Sequence, residues 1–70
     1  MNAIPIMHEL RAKRRSRGIT QAEIARRAGY AEDTIRRWER GKQKIYLQAL
    51  NDLANAIGLV VTIRFERKAS

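Results

Sequence analysis

Apolar residues in this chain recur mostly at spacings of three and four, punctuated by glycines, and only the last stretch alternates. Ile6 and Leu10, with Ala12 or the aliphatic stem of Lys13, mark the inner side of a first helix over 5–17. Pro5 fits its start, because the first helical position has no intrahelical amide bond to lose. Gly18 ends the helix and Ile19 drops into the core. A second helix begins at Thr20, whose hydroxyl is placed to accept from the Glu23 amide while the Glu23 carboxylate reaches back, a reciprocal capping box. Ile24, Ala25 and Ala28 form its narrow buried stripe, and Gly29 supplies a residue able to take positive φ where the chain must turn. Ile35 and Trp38 share one face of a third helix that closes at Gly41. Leu47, Leu50, Leu53, Ala54 and Ile57 then stripe a fourth helix over 46–57, terminated by Gly58.

The tail changes period. Leu59, Val61, Ile63 and Phe65 fall on one face and Val60, Thr62, Arg64 and Glu66 on the other, the alternation of a strand over 59–67. A solitary strand leaves amides and carbonyls unpaired. Two-fold symmetry would pair them, with the same strand of a second copy running antiparallel in an isologous ribbon. A frayed terminal tail and strand addition to another protein are the other outcomes. The expectation is an all-α, four-helix domain with one C-terminal β-strand: a domain over 1–58, a dimerisation strand over 59–67 with Leu59, Val61, Ile63 and Phe65 at the interface, and a tail over 68–70.

Seventy residues make one small domain, near the size at which oligomerisation often completes a marginal core. No cysteine is present, so disulfides and thiolate metal sites are excluded, and the single His8 cannot assemble a metal cluster alone. There is neither an apolar run of membrane-spanning length nor a signal-peptide core, which makes a cytoplasmic protein the expectation. The net charge of +8 is uneven: residues 1–44 carry twelve Lys or Arg against five Asp or Glu, whereas 45–63 contain Asp52 alone. The first part faces an anion and the next faces protein. Charge by itself also suits an anionic membrane or mere solubility.

The helical pattern decides between these. Two helices of about eight residues joined by a three- or four-residue turn containing glycine make the DNA-binding helix-turn-helix arrangement. Thr20, Gln21, Ile24, Ala25, Gly29, Thr34, Ile35, Trp38, Glu39 and Gly41 stand in register across both helices. In these positions, and over roughly residues 6–58, the chain resembles the Cro/C1-type (XRE-like) repressors, which implies a lambda-repressor-like domain. It departs from them at Ile45-Tyr46, where many relatives have Pro-Ser and where Tyr is a poor N-cap. It departs again at the tail, where phage repressors usually continue into a fifth helix. A helical core followed by one strand is similar to small helix-turn-helix antitoxins.

The resemblance implies a recognition helix in the major groove with its N-terminal residues towards base edges. The base-facing positions are then Glu32, Asp33, Arg36 and Arg37, and the Arg37 fork suits guanine N7 and O6. A phosphate contact or a solvated side chain is the alternative for Arg37. Glu32 and Asp33 either accept from cytosine N4 or merely stabilise the positive end of their helix, where Ala31 replaces the usual cap. Thr20, Gln21, Arg40, Lys42 and Lys44 match positions that hold the DNA backbone. Arg14 matches a helix-1 arginine that pairs with the residue standing here as Glu39, while Arg11, Lys13, Arg15 and Arg17 make a basic face, either solvated or turned to phosphate.

The implied function is a dimeric, sequence-specific repressor of a palindromic operator, with half-sites about one helical turn, ~34 Å, apart. With no room for a ligand-sensing domain, occupying a promoter would suffice. The competing expectation is an antitoxin that neutralises a toxin protein and autoregulates its operon. Double-stranded DNA is the partner in either case, with no cofactor, metal, membrane or small-molecule ligand. No nucleophile–base arrangement or glycine-rich phosphate cradle is present, so an enzyme is not expected.

Overall fold

The computed structural model describes residues 4–69, in which four helices follow one another: α1 (Ile4–Ser16), α2 (Gln21–Ala28), α3 (Glu32–Glu39) and α4 (Leu47–Ala56). Helix α2 is the hub, packing on both α3 and α4, while α1 leans on α3. Ile24, Ile35, Trp38 and Leu53 are the largest fully buried side chains, each contributing roughly 1.5–3 kcal/mol of burial. Met7, Leu10, Ile19, Ala25, Ala49, Ala54 and Ile57 close the core around them.

Three sequence expectations shift here. Ile6 is 44% exposed and Met7 takes the inner place, because the α1 residues that meet the core are Met7, Leu10 and Arg14, a three-and-four repeat that begins one residue later. Ala12 is exposed and Lys13 half-buried. In α4, Leu47 is 58% exposed and Ala49 is fully buried in the core.

The helix ends are physically distinct. Thr20 Oγ1 accepts from the Glu23 amide at 3.1 Å, but the Glu23 carboxylate accepts from Arg27 Nη2 at 2.6 Å instead of returning to Thr20, so only half of the capping box forms. Gly29 sits at φ 82°, where its amide and that of Tyr30 both donate to the Ala25 carbonyl, at 2.8 and 2.9 Å. Gly41 at φ 73° lets the Lys42 amide turn back to the Arg37 carbonyl at 2.9 Å. Neither Ala31 nor Tyr46 contributes a side-chain cap to the helix that it precedes.

The strand over 59–67 does not form: described residues beyond α4 carry neither helix nor strand. A strand exists through its ladder, and one chain offers this segment no second strand. Its beginning is nevertheless anchored. The Leu59 amide donates to the Ala54 carbonyl at 2.9 Å, and Leu59 and Val61 pack half-buried against the core. Beyond them, Ile63 is 57% and Phe65 98% exposed.

Candidate nucleic-acid interface

A buried carboxylate holds the two motif helices and α1 in register. Glu39, in the last turn of α3, accepts from Arg14 Nε at 2.8 Å on Oε2 and from Arg14 Nη2 at 3.0 Å on Oε1. Arg14 Nη1 donates at 2.6 Å to the carbonyl of Ile19, and Gln21 Nε2 donates at 2.9 Å to Glu39 Oε1. Arg14 and Glu39 are only 6% and 5% exposed. Charges so deeply placed are tolerated because the pair is two-pronged and is joined by the further bonds to the Ile19 carbonyl and from Gln21. Gln21, which the resemblance implies both touches phosphate and braces the recognition helix, thus gives one amide N–H to bracing α3.

The turn between α2 and α3 is locked from the other side. Tyr30 Oη donates to Asp52 Oδ2 of α4 at 2.6 Å, and Gln48 Nε2 donates to Oδ1 at 2.9 Å. The Tyr30 bond, then the Gln48 bond, hold the Asp52 pKa below its ordinary value. The same bond to Asp52 is the leading cause that raises the Tyr30 pKa well above its ordinary value, followed by the contact with Tyr46. The Tyr30 ring also meets Trp38 edge-on at 5.2 Å, and Tyr46 does so at 6.2 Å. Such contacts contribute about 0.5–1.5 kcal/mol each beyond burial. Arg27 of α2 donates to the Ala56 carbonyl at 3.2 Å, placing a cation at the negative end of α4.

On the outer side of α3, Glu32, Asp33 and Arg37 are exposed, with Thr34 and Arg36 half-exposed among them. These charges are not independent. Arg36 donates to Asp33 Oδ1 at 3.1 Å and to Glu32 Oε2 at 3.3 Å. Arg37 donates through Nη1 to Asp33 Oδ2, through Nε to Gln43 Oε1 at 3.0 Å, and through Nη2 to Thr34 Oγ1 at 3.4 Å. The pairs within α3 follow the i,i+3 and i,i+4 spacing visible in the sequence, whereas no local pattern foretells Gln43. The partnership of Tyr30 with Asp52, 22 positions apart, was equally hidden.

Arg40, Lys42 and Lys44 lie exposed where the chain leaves α3, and among the described residues none of them is in an ion pair. Thr20 is exposed at the start of α2, and His8 is exposed on α1. The surface can therefore offer uncommitted cations to an anion beside a cluster of partly neutralised charge. No described helix is long and apolar enough to cross a membrane.

Comparison with known proteins agrees with this geometry. No curated protein and no solved structure matches the chain. A family model described as a helix-turn-helix domain matches residues 7–63, which take in all of α2, α3 and α4 and most of α1. With a three-residue turn opened by Gly29 between two eight-residue helices and a match across most of its length, the chain belongs to the helix-turn-helix domain family of DNA-binding proteins.

Proposed function

We propose that this protein is a sequence-specific transcriptional repressor that binds a palindromic operator as a homodimer. The carrying observation is the helix-turn-helix pair itself, rigidly braced through Glu39 and flanked at the α3 exit by the exposed cations Arg40, Lys42 and Lys44. Helix α3 enters the major groove, with Arg37 as the principal reader of guanine, Arg36 beside it, and Glu32 and Asp33 at its leading end. Thr20, Gln21 through the second N–H of its amide, Arg40, Lys42 and Lys44 hold the phosphate backbone. The exposed Ile63 and Phe65 support a second copy pairing along the tail.

Selection of sites from random duplex DNA at near-physiological salt tests this reading. A palindrome with half-sites about one helical turn apart is expected, and Arg37→Ala should relax one base pair in each half. Salt-sensitive binding without any enrichment would refute sequence-specific repression.

The second reading is an antitoxin whose tail neutralises a protein partner and whose DNA binding is autoregulatory. It is favoured by the apolar side chains Leu47, Val60, Ile63 and Phe65, all exposed on or near that tail. Co-purification of an unrelated partner lost in Phe65→Ser would select it over a plain homodimer.

A further inference from the structure

Arg37 has more partners than an exposed surface arginine requires. Its guanidinium carries five N–H donors in one plane. Three are engaged: Nε with Gln43 Oε1, one on Nη1 with Asp33 Oδ2, and one on Nη2 with Thr34 Oγ1. Stability does not account for this convergence, because exposed pairs of this kind contribute little. Two of the partners come from α3 and the third from the loop beyond it, so the guanidinium plane is gripped from both sides of the helix exit. By count, the two unengaged N–H groups lie one on each terminal nitrogen. Guanine presents two acceptors, N7 and O6, at one edge.

Resting on the DNA-reading role of Arg37, we infer that Asp33 and Gln43 are positioning residues: they fix the guanidinium so that its two free N–H groups meet guanine as a fork, and Asp33 itself touches no base. Both Asp33 oxygens are already occupied, Oδ1 by Arg36 and Oδ2 by Arg37. To accept from cytosine N4, Asp33 would have to share an oxygen that already holds an arginine N–H. Orienting the fork in the free protein removes rotamer freedom that would otherwise be lost on binding. The gain falls on sites that present guanine to the fork, so it is read as a preference for guanine over the other bases.

The experiment is selection from random duplex DNA with the full chain and four variants: Arg37→Ala, Asp33→Ala, Gln43→Ala and the Asp33→Ala/Arg37→Ala double. Thermal melts accompany each to confirm folding. Arg37→Ala should erase a guanine preference at one position. Asp33→Ala should weaken that same preference on the order of tenfold, the scale of about 1.4 kcal/mol, while its affinity for random duplex rises because a negative charge has gone. Gln43→Ala removes the partner of Nε without altering the charge of α3 and should weaken the same position in the same direction. In the Arg37→Ala background, Asp33→Ala should change no preference further. Relaxation at a different base pair in Asp33→Ala would make Asp33 a base reader and overturn the inference, leaving Arg37 as a reader. An unchanged guanine preference in both Asp33→Ala and Gln43→Ala would overturn it equally. Enrichment indifferent to Arg37→Ala would overturn the base-reading role of Arg37 and the inference with it.

Discussion

Arg14 and Glu39, 25 positions apart, meet as a buried two-pronged ion pair, Nε to Oε2 at 2.8 Å and Nη2 to Oε1 at 3.0 Å. Removing either partner strands the other charge in a nearly dry site. Arg14→Ala or Glu39→Ala should each cost on the order of 3 kcal/mol or more in urea unfolding. Arg14→Met with Glu39→Leu should cost less than the sum of the corresponding single changes, because no charge is then left unpaired. Additive losses would mean that the pair is not coupled as its geometry implies.

Gly29→Ala should destabilise by about 1–2 kcal/mol. No atom lies within 4 Å of a Cβ built there, so the loss would come from backbone strain at φ 82° rather than from a clash. A thermal melt reads it, and an unchanged midpoint would show that the turn relaxes to another conformation.

The Tyr30–Asp52 bond makes stability depend on pH at both ends. The Asp52 pKa is lowered on folding, so its contribution is complete above the ordinary value of 3.8 and is lost as pH falls through the lowered one. The Tyr30 pKa is raised, so its contribution is present below the ordinary value of 10.0 and is lost as pH climbs through the raised one. Asp52→Asn should flatten the acid limb of a stability–pH curve. Tyr30→Phe should flatten the alkaline limb as well as part of the acid limb. Curves that parallel the parent protein at both ends would show that the bond does not persist in solution.

Arg40→Ala and Lys42→Ala should weaken binding to all duplexes alike, and each should reduce the salt dependence by about one unit of slope. A change confined to one sequence would instead make that residue a base reader.

Phe65→Ser should lower the mass seen by light scattering from dimer to monomer with little change in the monomer's melt, because Phe65 is 98% exposed. Truncation is best placed after Thr62. A cut after Gly58 would also strip Leu59 and Val61 from the core. A mass unchanged in both variants would exclude pairing along the tail.

Helical periodicity and glycine punctuation made the helix-turn-helix legible, because burial and turn conformation leave marks three or four residues apart. Periodicity placed Leu53, Ala54 and Ile57 in the core. It misjudged Ile6 and Leu47, since the inward positions of those two helices are taken by Met7 and Ala49 instead. The alternation after Gly58 had physical content for Leu59 and Val61, which turn inward, but a strand needs a partner that one chain cannot supply. At the interface, the spacing of Glu32 and Asp33 against Arg36 and Arg37 was readable as intrahelical pairing. The grip of Gln43 on Arg37 and of Tyr30 on Asp52 depends on tertiary approach and leaves no local trace.

The side chains that brace the motif, Arg14, Gln21 and Glu39, share no hydrogen bond with those clustered on the outer side of α3, Glu32, Asp33, Thr34, Arg36 and Arg37. Substitutions in the outer set need not disturb the brace. The charged outer side of α3 can thus change in small steps while the folded state stays where it was.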